Sequence, residues 1–226
     1  LGYNEKNTIK EIIRKILDQK NIKIQIIIVD DCSTDGTVEI LKGEIKKYIS
    51  KIIFHQRNMG KGAAIKSAIN HIQGDIIIIQ DADLEYDPKD YQNLLKPFED
   101  NNINVVYGSR VLGRDKSIKF SLIQKYRIFG NYILTKISNI INNQKLTDAH
   151  TCYKIFRKEL FIKLQLSEND FSFCPEVTTK LANLNQNIVE VPVSYNGREY
   201  KDGKKIRFSD AIIAINVIIK YKFFKK

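Results

Sequence analysis

Four consecutive isoleucines, at positions 76–79, are the feature that most restricts how this chain can fold. Asp75 precedes the run and Gln80 follows it, so an apolar segment of strand length stands between polar ends. An apolar run without polar alternation is typical of a strand covered on both faces, as in parallel sheets flanked by helices. Residues 75–80 are therefore predicted to form a strand inside such a sheet.

Segments with helical spacing alternate with short apolar segments through the first half of the chain. Residues 8–19 carry isoleucines and a leucine at helical spacing, and residues 24–29 form a run rich in β-branched side chains. Further helices are predicted at 35–48, 62–72 and 88–100, and further strands at 52–55 and 103–107. This order predicts an α/β fold in which a mostly parallel sheet has helices on both faces.

The second half begins with one long predicted helix. Its apolar residues advance in steps of three and four, and they are Leu122, Tyr126, Phe129, Ile133, Ile137 and Ile140. Strands are predicted at 153–156 and 188–193, and helices at 175–184 and through residues 208–223. No internal repeat or linker interrupts the sequence, so residues 1–226 are interpreted as a single domain.

The net charge of +11 is concentrated in two places. Residues 114–136 carry a net +5 and residues 198–226 a net +6, whereas the rest of the chain is balanced. Two such basic segments indicate an anionic partner, such as a phosphate ligand, an acidic lipid or a nucleic acid. The alternative is a general solubility charge, which the clustering makes less attractive.

The remaining composition indicates a reducing, cytoplasmic setting. Cys32, Cys152 and Cys174 lie far apart without metal-site spacing, and we expect free thiols. No signal-peptide pattern opens the sequence, and no apolar run reaches the roughly 18 residues that a membrane span needs.

Acidic residues stand directly after predicted strands. Asp30 and Asp31 follow the first, and the isoleucine run leads into Asp81, Asp83 and Glu85. Ligands of open α/β sheets bind outside the carboxyl ends of the strands. Carboxylate oxygens suit Mg²⁺ or Mn²⁺, which also bind substrate phosphates, so Asp81, Asp83 and Glu85 are predicted metal ligands. The alternative is that these acids cap turns and helices.

An ordered set of motifs resembles the family 2 glycosyltransferases of GT-A fold. The motifs are Tyr3-Asn4-Glu5, residues 29–37 (VDDCSTDGT), residues 57–62 (RNMGKG), Asp81-Ala82-Asp83, Gly108-Ser109-Arg110, Thr147-Asp148 and Cys152-Tyr153-Lys154. Residues 191–198 (VPVSYNGR) and 203–206 (GKKI) make the resemblance greatest to the branch that transfers mannose or glucose to polyprenyl phosphates such as dolichol phosphate.

The resemblance implies a donor site for a nucleoside-diphosphate sugar. Base and ribose would be held by Tyr3, Glu5, Val29 and Asp31, with Leu1 at the position of a family proline. Ribose, diphosphate and metal would be held by Asp81, Ala82, Asp83 and Glu85. Phosphates of the donor or acceptor would be contacted by Lys61, Arg110, Arg198 and Lys204. For Arg198 and Lys204 the alternative is a solvated basic loop.

The resemblance also implies a metal-dependent, inverting transfer of a hexose from GDP-mannose or UDP-glucose, with Asp83, Arg110 and Asp148 as the catalytic residues. A metal and fixed cations would stabilise the departing diphosphate. A phosphate acceptor is already ionised and needs no general base. A hydroxyl acceptor on a glycan would need one, and Asp148 and Glu176 are the candidates.

The two basic segments are expected to face the acceptor or a membrane. Residues 114–142 and 198–226 interleave cations with aromatic and aliphatic side chains, a pattern that suits a membrane interface. We therefore expect a polyprenyl-phosphate acceptor and a peripheral position at the inner face of the membrane. The alternative is that these apolar stripes pack on the sheet or on a partner subunit.

Two departures from the family pattern leave other readings open. The hydrophobic strand that precedes the first motif in the family is absent before Leu1, and Cys32 stands where the family usually has glycine. A protein without that strand could bind the sugar nucleotide without transferring the sugar. A basic nucleic-acid-binding module is the rival from another class. However, the sequence contains no nucleic-acid-binding motif, and we do not expect a nucleic acid as a partner.

Overall fold

The computed structural model describes residues 1–43, 45–115, 121–198 and 208–224. Six strands and eight α-helices are found there. The strands are β1 (Ile27–Asp30), β2 (Lys51–Phe54), β3 (Ile76–Ile78), β4 (Val105–Ser109), β5 (Lys154–Arg157) and β6 (Ile188–Pro192). The helices are α1 (Ile9–Leu17), α2 (Thr37–Lys42), α3 (Lys61–Ala68), α4 (Tyr91–Leu95), α5 (Leu122–Asn142), α6 (Lys158–Lys163), α7 (Phe173–Asn183) and α8 (Phe208–Ile219).

The strands form a four-stranded and a two-stranded sheet. The larger has the order β3-β5-β4-β6, and β4 and β6 are parallel. β5 runs antiparallel to both its neighbours, so β3, β4 and β6 share one direction. The smaller sheet is the parallel pair β1-β2. The predicted α/β fold with a mostly parallel sheet is confirmed, with β5 as the reversed strand.

Leu1 and Gly2 lie between the two sheets. Gly2 exchanges backbone hydrogen bonds with Val29 and Asp31 at the end of β1, with N–O distances of 3.2 and 3.0 Å. The amide of Ala82, beyond the end of β3, donates to the carbonyl of Leu1 at 2.9 Å. No ladder joins β1 directly to β3 within the described ranges. The carboxyl ends of these strands are nevertheless held side by side by this short segment.

Two apolar clusters cover the sheets. One is built mainly from α1, β1 and the helical region around α4, and the other from α3, α6 and α7. Within the first, α1 buries Ile9, Ile12, Ile13 and Ile16, the stripe that its spacing predicts. Helices therefore flank the strands on both sides, and the strand ends are left to carry polar residues.

Several predicted helices are shorter in the structure. The helix expected at 35–48 ends at Lys42, just before Gly43, and a 3₁₀ turn, Lys46–Tyr48, follows. The helix expected at 88–100 is a 3₁₀ turn, then α4, then a second 3₁₀ turn that contains Pro97. Glycine ends helices readily and an interior proline lacks the amide hydrogen that the helix needs. In the described part of the chain no helix is both long and apolar enough to cross a membrane.

Candidate functional site

Charged side chains converge where β1, β3 and β4 end. Lys61 and Asp81 form one pair, Arg110 and Asp148 a second, and Arg198 binds a group of acids. Tyr195 joins the last two groups, because its ring lies 5.2 Å from the Arg110 guanidinium and its hydroxyl donates to Glu85 at 2.8 Å. The strand-end acids predicted from the sequence are thus brought into one polar region.

Lys61 neutralises the first acid after β3. It is the first residue of α3, and its Nζ donates to both carboxylate oxygens of Asp81 at 2.8 and 2.6 Å. Both side chains are mostly buried. Burial alone would lower the pKa of Lys61, but the Asp81 carboxylate raises that pKa well above its usual value. Lys61 therefore remains a fixed cation at the strand ends.

Arg198 binds three carboxylates. Its Nη2 lies 3.2 Å from Glu5 Oε1 and 3.1 Å from Asp83 Oδ2, and its Nε lies 3.9 Å from Glu85 Oε1. Its backbone amide also donates to Glu85 at 2.8 Å. Residues more than 100 positions apart in sequence are therefore joined through one guanidinium.

Asp83 has an unusual protonation equilibrium. Burial raises its pKa most, the neighbouring charges of Asp81 and Glu85 raise it further, and the result is a pKa of about 7. The hydrogen bond from the Glu85 amide and the charge of Arg198 oppose this shift without cancelling it. Near neutral pH, Asp83 is therefore a carboxyl group that would gain from a further cation.

Stability should fall as the pH rises through the titration of Asp83. Its folded-state pKa of about 7 lies above the unfolded value of 3.8, so its contribution to stability is complete below pH 4 and lost as the pH rises to 7. Asp83→Asn should raise the unfolding free energy more at pH 8 than at pH 5, by on the order of 2 kcal/mol. Urea titrations in EDTA measure the unfolding free energy at both pH values. Asp87→Asn is the control, because the fold lowers the pKa of Asp87.

The three predicted metal ligands do not form a ready three-carboxylate site. Both oxygens of Asp81 accept from Lys61, those of Asp83 from the Glu85 amide and Arg198, and those of Glu85 from the Arg198 amide and Tyr195. No group of three His, Cys, Asp or Glu side chains is placed to hold a metal in the part of the chain that the structure describes.

A shared site fits these residues better. Mg²⁺ is commonly held by one or two carboxylates together with substrate phosphates and water. Asp83 has the required oxygen chemistry, and its raised pKa marks a place where added positive charge is favourable. The residues therefore fit a cation held jointly by Asp83 and a bound diphosphate.

Asp31 binds a neighbouring loop. Its carboxylate accepts from His55 Nδ1 at 2.7 Å and from the amides of Met59 and Gly60 at 2.8 Å each. The side chain of Asp31 therefore fixes the loop that leads into α3 and Lys61. Oδ1 accepts two of these hydrogen bonds and Oδ2 accepts one.

Asp30, the last residue of β1, was not among the predicted site residues but has an incompletely paired carboxylate. Its Oδ2 accepts from the Ser33 amide at 2.9 Å, whereas its buried Oδ1 has no hydrogen-bond partner within the described residues. Its position at the carboxyl end of β1 is the signal that could have identified it. Cys32 follows with φ of 67°, a left-handed conformation that explains glycine at this position in the family pattern.

Asp148 is bound to Arg110 in a buried, two-pronged ion pair. Arg110 donates through Nε and Nη2 at 2.7 and 2.8 Å, and its amide donates at 3.1 Å. Burial would raise the pKa of Asp148, but Arg110 outweighs this and lowers that pKa. The pair fixes the loop after β4 against the loop before β5.

Glu176, the other candidate base, is also engaged. It is fully buried in α7, and its carboxylate accepts from the amides of Ser167 and Glu168 at 2.7 and 2.9 Å and from Lys180 at 2.7 Å. Its role in the fold is to hold the loop at 165–170.

The other predicted donor-site residues take varied positions. Val29 is buried in β1 and Ala82 lies beside Leu1, so both shape the site through their backbones. Glu5 joins the acids on Arg198, and Tyr3, two residues before Glu5, is half-buried. Lys204 lies outside the described residues.

The fold has the architecture of a GT-A glycosyltransferase, and comparison with known proteins gives the family. The model of glycosyl transferase family 2 matches residues 2–165, and the chain belongs to this family. The sequence is 26% identical over 240 residues to the dolichyl-phosphate beta-glucosyltransferase ALG5A of Trichomonas vaginalis, covering 100% of this chain and 72% of that protein. It is 24% identical over 207 residues to the undecaprenyl-phosphate 4-deoxy-4-formamido-L-arabinose transferase of Edwardsiella ictaluri, covering 89% and 60%.

Solved structures agree on the fold. Glucosyl-3-phosphoglycerate synthase of Mycobacterium tuberculosis, in complex with Mn²⁺, uridine diphosphate and phosphoglyceric acid, superposes with a TM-score of 0.72 at 16% identity. The match covers 98% of this chain and 76% of that one. The same synthase is also known with Mg²⁺ and uridine diphosphate, with a TM-score of 0.71 and 16% identity.

Proposed function

We propose that this chain is an inverting hexosyltransferase that moves a sugar from a nucleoside-diphosphate sugar to a polyprenyl phosphate. The observation that carries the proposal is the polar region at the strand ends, where Lys61, Arg110 and Arg198 are fixed among Asp81, Asp83 and Glu85. The names of the relatives, which are dolichyl-phosphate and undecaprenyl-phosphate transferases, support the acceptor class.

Fixed cations stabilise the departing diphosphate in this proposal. As the bond between the anomeric carbon and the diphosphate breaks, negative charge gathers on the leaving group. Lys61 and Arg198 are already oriented by Asp81 and by Glu5 and Asp83, so they need little reorganisation. A divalent cation, Mg²⁺ or Mn²⁺, bound by Asp83 and the diphosphate would supply further charge neutralisation there.

Occupied carboxylates favour a phosphate over a hydroxyl acceptor. A hydroxyl must lose its proton to a base, and both candidates, Asp148 and Glu176, are held in buried ion pairs. Arg110 also keeps Asp148 a weak base by lowering its pKa. A phosphate acceptor attacks without a base, so transfer to a glycan hydroxyl remains the second candidate.

The donor proposed first is UDP-glucose, with GDP-mannose as the alternative. Glucose is the sugar in the name of the Trichomonas relative, and uridine diphosphate is the nucleotide in the synthase structures. Tyr3, Glu5 and Val29 would surround base and ribose, while Asp31 would act by fixing the loop before Lys61. We also propose that the enzyme works at the cytoplasmic face of the membrane that holds the lipid acceptor.

Calorimetry with UDP-glucose and GDP-mannose, each with and without Mn²⁺, tests the donor site. One donor should bind in a metal-dependent manner, and Asp83→Ala should weaken that binding at least about tenfold, because it removes the carboxylate shared with the cation. Asp87→Ala is the matched control, since Asp87 lies four residues on and pairs with Lys15 outside the site.

The outcomes separate the rival functions. Metal-dependent binding without transfer to polyprenyl phosphate would support a non-catalytic sugar-nucleotide binder. Folded protein that binds neither donor, yet binds nucleic acid with a steep salt dependence, would support the basic module suggested by the +11 charge.

A further inference from the structure

Glu190 is a charged residue in an otherwise apolar strand. It is the one charged residue among positions 188–193, and it lies in β6 opposite Tyr107 of β4. Glutamate is less common in strands than apolar and β-branched residues, because a half-buried pleated surface suits its charge poorly. A carboxylate at this position needs hydrogen-bond donors that compensate for its lost hydration. In this fold the donors come from a loop of the candidate site.

The carboxylate of Glu190 binds the loop before β5 through three hydrogen bonds. Its Oε2 accepts from the Thr147 amide at 2.7 Å. Its Oε1 accepts from the Asp148 amide at 2.9 Å and from the Thr147 hydroxyl at 3.0 Å. Hydrogen bonds to an ionised acceptor are shorter and about twice as strong as those between neutral groups. Glu190 therefore fixes the backbone of Thr147 and Asp148.

The same carboxylate is linked to the end of β4 through two hydroxyl groups. The Thr147 hydroxyl donates to Glu190, so its oxygen accepts from the Ser109 hydroxyl at 2.7 Å. The oxygen of Ser109 in turn accepts from the Leu112 amide at 3.1 Å, and Ser109 is fully buried. Residues on both sides of Arg110 in the sequence are therefore tied to Glu190.

Arg110 lies where these two segments meet. Its guanidinium donates to the Asp148 carboxylate through Nε and Nη2, and its amide donates to the same carboxylate. Asp148 is thus held at its main chain by Glu190 and at its side chain by Arg110. Because Glu190 belongs to β6, a strand of the sheet determines where the guanidinium of Arg110 lies.

We propose that Glu190 is a positioning residue that aligns Arg110 with the phosphates of the reactants. The inference rests on the proposed function, in which Arg110 is one of the fixed cations, and it adds a residue that acts through Arg110. Displacement of a catalytic group by about 1 Å can lower a rate by roughly 10²-fold. Loss of the Glu190 charge therefore lowers the transfer rate while Arg110 itself remains in the protein.

Amide hydrogen exchange, resolved by NMR, tests the positioning without any reactant. In Glu190→Gln, a side-chain NH₂ group faces donors that the carboxylate accepts from, so the Thr147 and Asp148 amides should exchange at least about tenfold faster. The Arg110 amide should also exchange at least about tenfold faster, although its acceptor is Asp148. Glu99→Gln, which alters an exposed glutamate outside the site, should exchange like the wild type. An unchanged rate at Arg110 would limit Glu190 to a local role and overturn the inference.

A double-mutant cycle in transfer kinetics tests whether Glu190 acts through Arg110. Transfer to undecaprenyl phosphate, from the donor that binds in calorimetry, is measured for Glu190→Gln, Arg110→Lys and the double variant. Arg110→Lys keeps a positive charge beside Asp148 but loses the two-pronged contact. Glu190→Gln alone should lower kcat/KM at least about tenfold, and in the Arg110→Lys background it should lower kcat/KM by less than about twofold. Equal factors in the two backgrounds would show independent effects and contradict the inference.

The two experiments separate a failure of the positioning from a failure of the proposed function. A wild-type protein that transfers no sugar would count against the transferase, while exchange at the Arg110 amide would still decide whether Glu190 positions it. Urea denaturation of every variant identifies a general loss of stability. Such a loss, from a role of Glu190 in the fold alone, would lower kcat/KM by the same factor in both backgrounds.

Discussion

Asp148→Ala is expected to lower the free energy of unfolding by about 3–5 kcal/mol, the usual cost of leaving one partner of a buried ion pair uncompensated. Arg110 would lose three hydrogen bonds, two from its guanidinium and one from its amide, while its side chain is only 16% exposed. The ring of Tyr195 would remain beside the guanidinium, but a ring face cannot replace a carboxylate. Urea denaturation at pH 7 measures the loss.

The exposed pair between Arg14 and Asp18 provides the matched control. Both side chains are more than half exposed, and their contact is 3.2 Å. Asp18→Ala should therefore change the unfolding free energy by less than about 0.5 kcal/mol. A loss below about 1 kcal/mol for Asp148→Ala would contradict the expected burial of Arg110. Transfer activity should fall with stability, because Arg110 would no longer be fixed beside Tyr195.

The strands were the most predictable part of the fold. The isoleucine run predicted β3. Apolar runs of strand length that alternate with segments of helical spacing predicted helices on both faces of the sheet, because local hydrophobicity determines which segments are buried. Helix lengths were less predictable where Gly43 and Pro97 interrupt the pattern. The period of α5 was also predictable, and its stripe was expected to face outward, with packing on the sheet as the alternative; Leu122, Tyr126 and Phe129 are exposed. A stripe has the same spacing whether it faces core or solvent, and Thr135 and Asn142 decide this through contacts with distant residues.

The candidate site could be predicted as a set of residues but not as a set of pairs. Strand-end position made Asp31, Asp83 and Arg110 candidates, because ligands bind where strands end. Their partners come from loops far away in sequence, as with Arg198 and Asp83, 115 positions apart. The contacts of Asp31 with two amides and a histidine depend on the path of a loop, and no sequence pattern specifies that path.

The contact between α3 and the loop at 167–170 leaves no room for a side chain at position 62. A Cβ on Gly62 would lie 2.3 Å from the carbonyl oxygen of Glu168, which is backbone. The amide of Ala63 donates to Asn169 at 2.9 Å, so loop and helix are joined at this point. Glu176 prevents the loop from withdrawing, because it binds the amides of Ser167 and Glu168.

Gly62→Ala is therefore expected to lower the unfolding free energy by at least about 2 kcal/mol, as overpacking against fixed backbone does. Because Lys61 is adjacent, donor binding measured by calorimetry should also weaken at least about tenfold, which corresponds to about 1.4 kcal/mol. Gly130→Ala is the control: Gly130 lies within α5, a Cβ there meets nothing within 4 Å, and alanine should add about 0.5–1 kcal/mol to stability. Equal stability changes in the two variants would show that the loop yields to the added methyl group. The expected result is that Gly62→Ala weakens donor binding and Gly130→Ala does not. That result would locate the effect at Lys61, whose ion pair with Asp81 depends on where α3 begins.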